Sequence, residues 1–196
     1  MKPTFLLPAL FIALALPPLA VAAAEFTVVQ AEKSSISFVA KQMGVPSEGR
    51  FGKFSARIAF DPASPERGRA QIDVDLASIN AGSAEANDEV KGKAWFNVRE
   101  YPAATFVASS LKALGGNGGI ARYEAAGKMT IKGRTRDVVA PFTAKIEGRG
   151  IVLDGSIPIQ RLQYAIGEGA WADTATVADE VQVRFHFTLT AAPATK

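Results

Sequence analysis

The sequence predicts an all-β protein, and three observations carry that prediction. Apolar and polar residues alternate with a period of two along several runs; glycine, proline, asparagine and aspartate clusters separate the runs; and each run is apolar on one face only. The first strands are expected at 26–31 and 34–43. Over 54–61, Phe54, Ala56, Ile58 and Phe60 alternate with a mainly polar set, and over 71–76 Ile72, Val74 and Leu76 alternate with Gln71, Asp73 and Asp75. Between 81 and 98 the pattern changes to a charged stretch with Glu85, Asp88, Glu89, Lys91 and Lys93, ending in Trp95-Phe96. This predicts a short helix or ordered loop at 82–96 that covers one end of the sheet. Strands follow at 103–112, 121–132, 137–147 and 151–161, and the series closes with Val181, Val183, Phe185, Phe187 and Leu189 alternating with Gln182, Arg184, His186 and Thr188. Asp61-Pro62, the tract Gly115-Gly116-Asn117-Gly118-Gly119 and Gly148-Arg149-Gly150 supply the turns of a hairpin meander, with the glycine tract as a mobile tip.

About eight strands with one apolar face each must either stack as two sheets or close on themselves, and alternation alone leaves both open. Strands of ten or more residues give a height of roughly 30 Å at about 3.3 Å per residue. That height suits a tall barrel around an elongated cavity.

Residues 1–24 read as a cleaved secretory signal peptide. Lys2 is followed by an apolar stretch broken by Pro8, Pro17 and Pro18, and a small-residue cleavage site, Ala22-Ala23-Ala24, stands before Glu25. Prolines at that frequency disfavour a spanning helix. Residues 25–196 are then a single domain of about 170 residues, large enough for a core without covalent staples. The chain has no cysteine, which excludes thiol catalysis and cysteine metal sites. A formal charge of +3 is too small to argue for nucleic-acid binding.

Four groups of residues, in order along the predicted domain, resemble the YceI-like family of polyisoprenoid-binding proteins. They are Met43-Gly44 through Gly49-Arg50-Phe51-Gly52-Lys53-Phe54 to Phe60-Asp61-Pro62; Trp95-Phe96-Asn97 with Tyr101-Pro102 and Thr105-Phe106; the run from Gly127 to Thr135 with Val138 and Pro141-Phe142; and Ile159-Gln160-Arg161 with Tyr164-Ala165-Ile166-Gly167. The resemblance implies an extended, eight-stranded antiparallel barrel of lipocalin-like shape, periplasmic and often dimeric, holding a long-chain isoprenoid or other amphiphilic lipid without covalent attachment. Many relatives carry an aspartate and a histidine ahead of the aromatic pair, where this chain has Asn87 and Glu89. Residues 167–173 are similar to the subgroup found beside cytochrome b561-type membrane proteins, which implies a quinone or redox context and a membrane cytochrome as partner.

Strand phase and the resemblance together nominate the ligand-facing side chains. The early strands supply Phe38, Phe54, Ile58, Ile72 and Val74, and the middle of the chain supplies Phe96, Phe106, Met129, Ile131 and Phe142. Val183 and Phe185 come from the last strand, with Tyr164 and Trp171 from the turn before it. An interior of this composition selects by shape and apolarity. At about 0.8 kcal/mol per buried methylene, an isoprene unit contributes roughly 3 to 4 kcal/mol before ordering costs. The alternative is that the same side chains fill the barrel as plain core.

Arg161 shares the phase of Ile151, Leu153, Ile157 and Ile159, so it is expected at the interior or its rim, bound either to a polar lipid head or to a structural carboxylate. His186, the one histidine, is expected on the outer face, where it has no companions for a metal site or a catalytic triad. The leading expectation is a periplasmic, non-enzymatic carrier or sequestering protein for isoprenoid-type lipids with no other cofactor. The alternatives are an accessory partner of a membrane cytochrome in electron transfer or stress response, a scavenger of lipophilic toxins or antibiotics and, last, a lipid-modifying enzyme.

Overall fold

A computed structural model describes residues 25–192, so the export segment expected at 1–24 lies outside the described residues. The early strands are β1 (Phe26–Val29), β2 (Ser35–Gln42), β3 (Val45–Phe51), β4 (Phe54–Ala59), β5 (Arg69–Asp75) and the two-residue β6 (Ile79–Asn80). Helix α1 (Ala84–Lys91) follows, and then the long strands β7 (Ala103–Asn117), β8 (Ile120–Ile131), β9 (Arg134–Glu147), β10 (Gly150–Gln160) and β11 (Glu180–Ala191). All strand pairs are antiparallel, in one strongly curled sheet of order β4-β5-β7-β8-β9-β10-β11-β2-β3-β6, with β1 also on β11. Phe26 and Phe60 exchange two backbone hydrogen bonds of 2.9 and 3.0 Å, which draw the start of β1 against the end of β4.

The eleven strands of the described residues exceed the eight expected of the barrel, and two of them, β3 and β6, match no alternating run. β1 and β2 lie along the same edge of β11, separated by the single 3-10 turn Ala31–Lys33. β3 and β4 are separated at Gly52-Lys53, whose amides turn away to donate to the Ser78 carbonyl and hydroxyl at 3.0 and 2.9 Å. β6 adds a short edge beside β3. β3 carries Pro46 and Gly49, so it lacks the apolar alternation that marks the other strands.

The core lies inside the curl, and its phase follows the alternation. Ile151, Leu153, Ile157 and Ile159 of β10, Ala140, Phe142 and Ala144 of β9, and Tyr123, Ala125, Met129 and Ile131 of β8 are buried. In β7 the phase changes, with Phe106 and Leu111 both buried, because a bulge between Ala108 and Ser110 inserts one residue against β8. The β7 strand also extends into the glycine tract as far as Asn117, leaving Gly118-Gly119 as the tip. Two inward phenylalanines lie flat over a glycine of the neighbouring strand: Phe38 over Gly49, and Phe185 over Gly155. A Cβ at either glycine would collide with the ring, so these positions set how closely the rings lie to the wall.

Helix α1 occupies the centre of the region expected at 82–96. Ser83 caps it by accepting from the Ala86 amide at 3.1 Å, and turns carry the chain on through Trp95 and Phe96.

Candidate functional site

The barrel interior holds a cavity of about 340 Å³. Ligand pockets commonly measure about 300–1,000 Å³, so the side chains do not fill the interior as a plain core would. One end is closed by aromatic packing. Phe60 stands edge-on to Tyr123 at 5.1 Å and to Phe142 at 5.8 Å, and Tyr123 stacks on Phe142 at 5.3 Å. The walls are apolar and come from most of the strands, with Ile72, Val74, Phe106, Met129, Ile131, Val183 and Phe185 among them. Ile58 and Phe142 join them from β4 and β9, and Phe38, Phe96 and Trp171 line the part nearer the helix. At that other end the lining becomes polar and exposed, at Lys41, Gln42, Ser47 and Glu89.

Two nominated residues do not line the cavity. Phe54 packs edge-on against Phe187 at 5.9 Å, at the margin of the core. Tyr164 is buried in the 3-10 turn Arg161–Tyr164 that follows β10, where burial pushes its phenol above the usual range. Strand phase places Phe54 on the correct face but does not give its depth. Tyr164 lies outside any strand, so phase does not reach it.

Arg161 borders the cavity at 1% exposure, as its phase predicts. Among the described residues it forms no ion pair with a carboxylate, and backbone carbonyls take its donors. Its Nε donates to the Ala178 carbonyl at 3.0 Å, Nη1 to Ile166 and Gly167 at 2.8 and 3.0 Å, and Nη2 to Trp171 and Val177 at 2.7 and 2.6 Å. All five N–H groups of the fork are thereby used. Desolvation lowers its pKa, and the charge of nearby Asp179 opposes that shift. Gly167 has a φ of +76°, and a Cβ there would strike Nη1, so only glycine permits the chain to wrap the guanidinium this closely.

Lys132 was not singled out from the sequence. With Gly133 it forms the two-residue turn between β8 and β9, at φ of 49° and 70°, the geometry of a type I′ hairpin. Its buried ammonium donates to the carbonyls of Lys93 and Ala165 at 2.9 and 2.7 Å and to Glu168 Oε2 at 2.9 Å. Backbone bonds from Gly167 and Glu168 to the Ala94 carbonyl, at 2.9 and 2.8 Å, fasten the same segment to the chain after α1.

Above this buried layer, Glu89 of α1 accepts from both indoles on one oxygen. Trp171 Nε1 lies 2.8 Å and Trp95 Nε1 3.2 Å from Oε1, and the two rings lean together with centroids 5.4 Å apart. Trp95 also covers the Arg161 guanidinium, 5.8 Å from its centroid. In the sequence Glu89 is one charge of the stretch over 81–98, and nothing there connects it with tryptophans 6 and 82 residues away. Asn87, on the same helix, accepts from the Ala81 amide at 2.6 Å and so stabilises the approach to the helix.

His186 lies outside the barrel, beside Asp154 at 2.6 Å. Among the described residues, no group of three or more histidine, cysteine, aspartate or glutamate side chains could hold a metal.

Comparison with known proteins places this geometry in a family. A family profile described as the YceI-like domain matches residues 27–189. Among curated proteins, a UPF0312 protein of Shewanella oneidensis is 29% identical over 134 residues, covering 67% of this chain and 68% of that protein. One from Photorhabdus laumondii is 28% identical over 102 residues, and there the match spans half of the relative's length. The crystal structure of Burkholderia cenocepacia BcnA aligns with a TM-score of 0.79 at 46% identity, covering 83% of this chain and 99% of that one. A polyisoprenoid binding domain from Saccharophagus degradans, implicated in plant cell wall breakdown, aligns with a TM-score of 0.66 at 17% identity over 87% of this chain and 99% of that one. At that identity the last likeness shows the fold alone.

Proposed function

The chain belongs to the YceI-like domain family, and from that premise we propose that it is a carrier or sequestering protein for isoprenoid-type lipids, working in the periplasm by reversible burial rather than by covalent chemistry. The observation that carries the reading is the cavity of about 340 Å³, closed by Phe60, Tyr123 and Phe142 at one end and bordered by exposed polar residues at the other. Such a space suits a molecule that is long, apolar and polar at one tip. The binding named for the Saccharophagus domain agrees with this reading. Export rests on residues 1–24, whose order of charge, apolar stretch and small residues is that of a signal peptide.

Native mass spectrometry of protein purified from a periplasmic fraction, followed by organic extraction, tests both halves of the proposal. The expected result is a mature chain beginning near Glu25 that carries a long-chain lipid. Protein that carries no lipid and takes up no added polyprenol or quinone would refute the carrier function, and recovery of the full-length chain from the cytoplasm would refute export.

A second reading, an accessory role beside a membrane cytochrome, draws on the position of Trp171 in the cavity wall, within the segment that motivates it. On that reading a membrane partner would meet the lipid at its polar end. Respiratory electron flow unchanged by deletion of the protein would exclude it.

A further inference from the structure

We propose that Glu89 is the head-group determinant of the cavity, and that it selects lipids ending in a neutral hydroxyl, an alcohol or a phenol, over lipids ending in a phosphate or an ether. The inference rests on the carrier reading above and refines it.

Two cations border the cavity, Arg161 and Lys41. Arg161 has spent all five donors on backbone carbonyls, so it has none to offer an anion. Lys132, the other buried cation at this end, has likewise spent its three donors on Lys93, Ala165 and Glu168. Lys41 lies at the exposed rim of the opening, on the strand phase of Ser37 and Val39 rather than that of the buried Ile36, where water screens its charge. Among the described residues, the buried cations at the polar end are therefore saturated, and Lys41 stands at the solvent-screened rim.

Glu89 presents the opposite chemistry. The two indoles converge on Oε1, which fixes the carboxylate at the mouth, and among the described residues Oε2 has no hydrogen-bond partner. A fixed carboxylate oxygen with free lone pairs accepts from an O–H donor. Against a phosphate it sets like charge against like charge. An ether head offers no donor at all, so on entering it would strip water from the carboxylate without replacing the bond. The arrangement thus favours a hydroxyl over both other heads, with the chain running inward toward Phe60.

The chain has two tryptophans, and both donate to Glu89, so intrinsic fluorescence reads the mouth directly. The experiment titrates the full mature chain with geranylgeraniol, its methyl ether and geranylgeranyl phosphate, following tryptophan emission and confirming affinities by equilibrium dialysis. The wild-type protein is expected to bind the alcohol about tenfold or more tightly than either analogue. Glu89→Gln keeps an acceptor oxygen for the indoles, removes the charge and replaces the free oxygen with an N–H donor that an ether or phosphate oxygen can accept, so the advantage of the alcohol over both analogues should shrink to within about threefold. Glu89→Leu removes acceptor and charge alike and should abolish the preference for the alcohol. Equal affinities for the three probes in the wild type, or a preference that survives Glu89→Leu, would overturn the assignment of Glu89 while leaving the carrier function standing. Failure of all three probes to bind would overturn the carrier function and this proposal together.

Discussion

A guanidinium taken out of water costs several kcal/mol unless its donors are met, and at Arg161 they are met by carbonyls at positions 166, 167, 171, 177 and 178. The side chain thus organises the segment between β10 and β11 around itself. Removing it strands five acceptors, so Arg161→Ala should destabilise the fold by about 3–5 kcal/mol, read as a lower urea midpoint. Head-group preference in the folded protein should not change. The reverse outcome, an unchanged midpoint with altered preference, would return Arg161 to the ligand. Arg161→Lys should be intermediate, because three donors then face five acceptors. Strand phase sufficed to put Arg161 inside the barrel. Its partners were illegible, because a carbonyl exists at every position and only the folded path of the chain shows which ones converge. Glu89 was hidden for a related reason: its indole partners stand on separate segments, and a charged residue on a short exposed helix looks like any other until those segments are brought together.

Segments without alternation are held here by buried polar groups, and that makes one of them sensitive to acid. The Lys132 ammonium ties the β8–β9 turn to the stretch around 165–168, and its hydrogen bond to Glu168, followed by its charge, holds the Glu168 carboxyl below the ordinary glutamate range. A carboxyl with a lower pKa in the folded than in the unfolded state contributes stability above its unfolded value, near 4.5, and loses it as pH falls through the folded one. Thermal midpoints should therefore decline more steeply between neutrality and about pH 3 in the wild type than in Glu168→Gln. Parallel curves would show that the pair carries no linkage. The regular elements were more legible. Alternation located nine stretches that match observed strands within a few residues, because each buries one face. It missed β3, where Pro46 and Gly49 interrupt the pattern and Gly49 is occupied by the ring of Phe38 from across the pair. It also could not foresee the β7 bulge, which lets Phe106 and Leu111 share an interior that a strict period of two would divide between faces.

At the scale of the whole molecule, alternation left a sandwich and a barrel equally open, and the family resemblance selected the barrel. The strongly curled sheet, drawn together at the Phe26–Phe60 bridge, agrees with that choice. The remaining question is what the interior is for. A core packed to the usual density loses about 1–3 kcal/mol when a side chain is enlarged within it, because no neighbour can yield without strain. A lumen evolved to take a guest has room to spare. Ile72 of β5 lines the cavity and is only partly buried, so Ile72→Trp would direct the added bulk into space that a guest would otherwise occupy. The expected outcome separates two quantities that a packed core would couple: the urea midpoint should move by less than about 1 kcal/mol equivalent, while uptake of a polyprenol falls more than about tenfold. A large loss of stability would mean that the wall around Ile72 is core. Preserved stability with preserved uptake would mean that the guest does not pass this level of the barrel, confining it to the part between Ile72 and the Glu89 mouth.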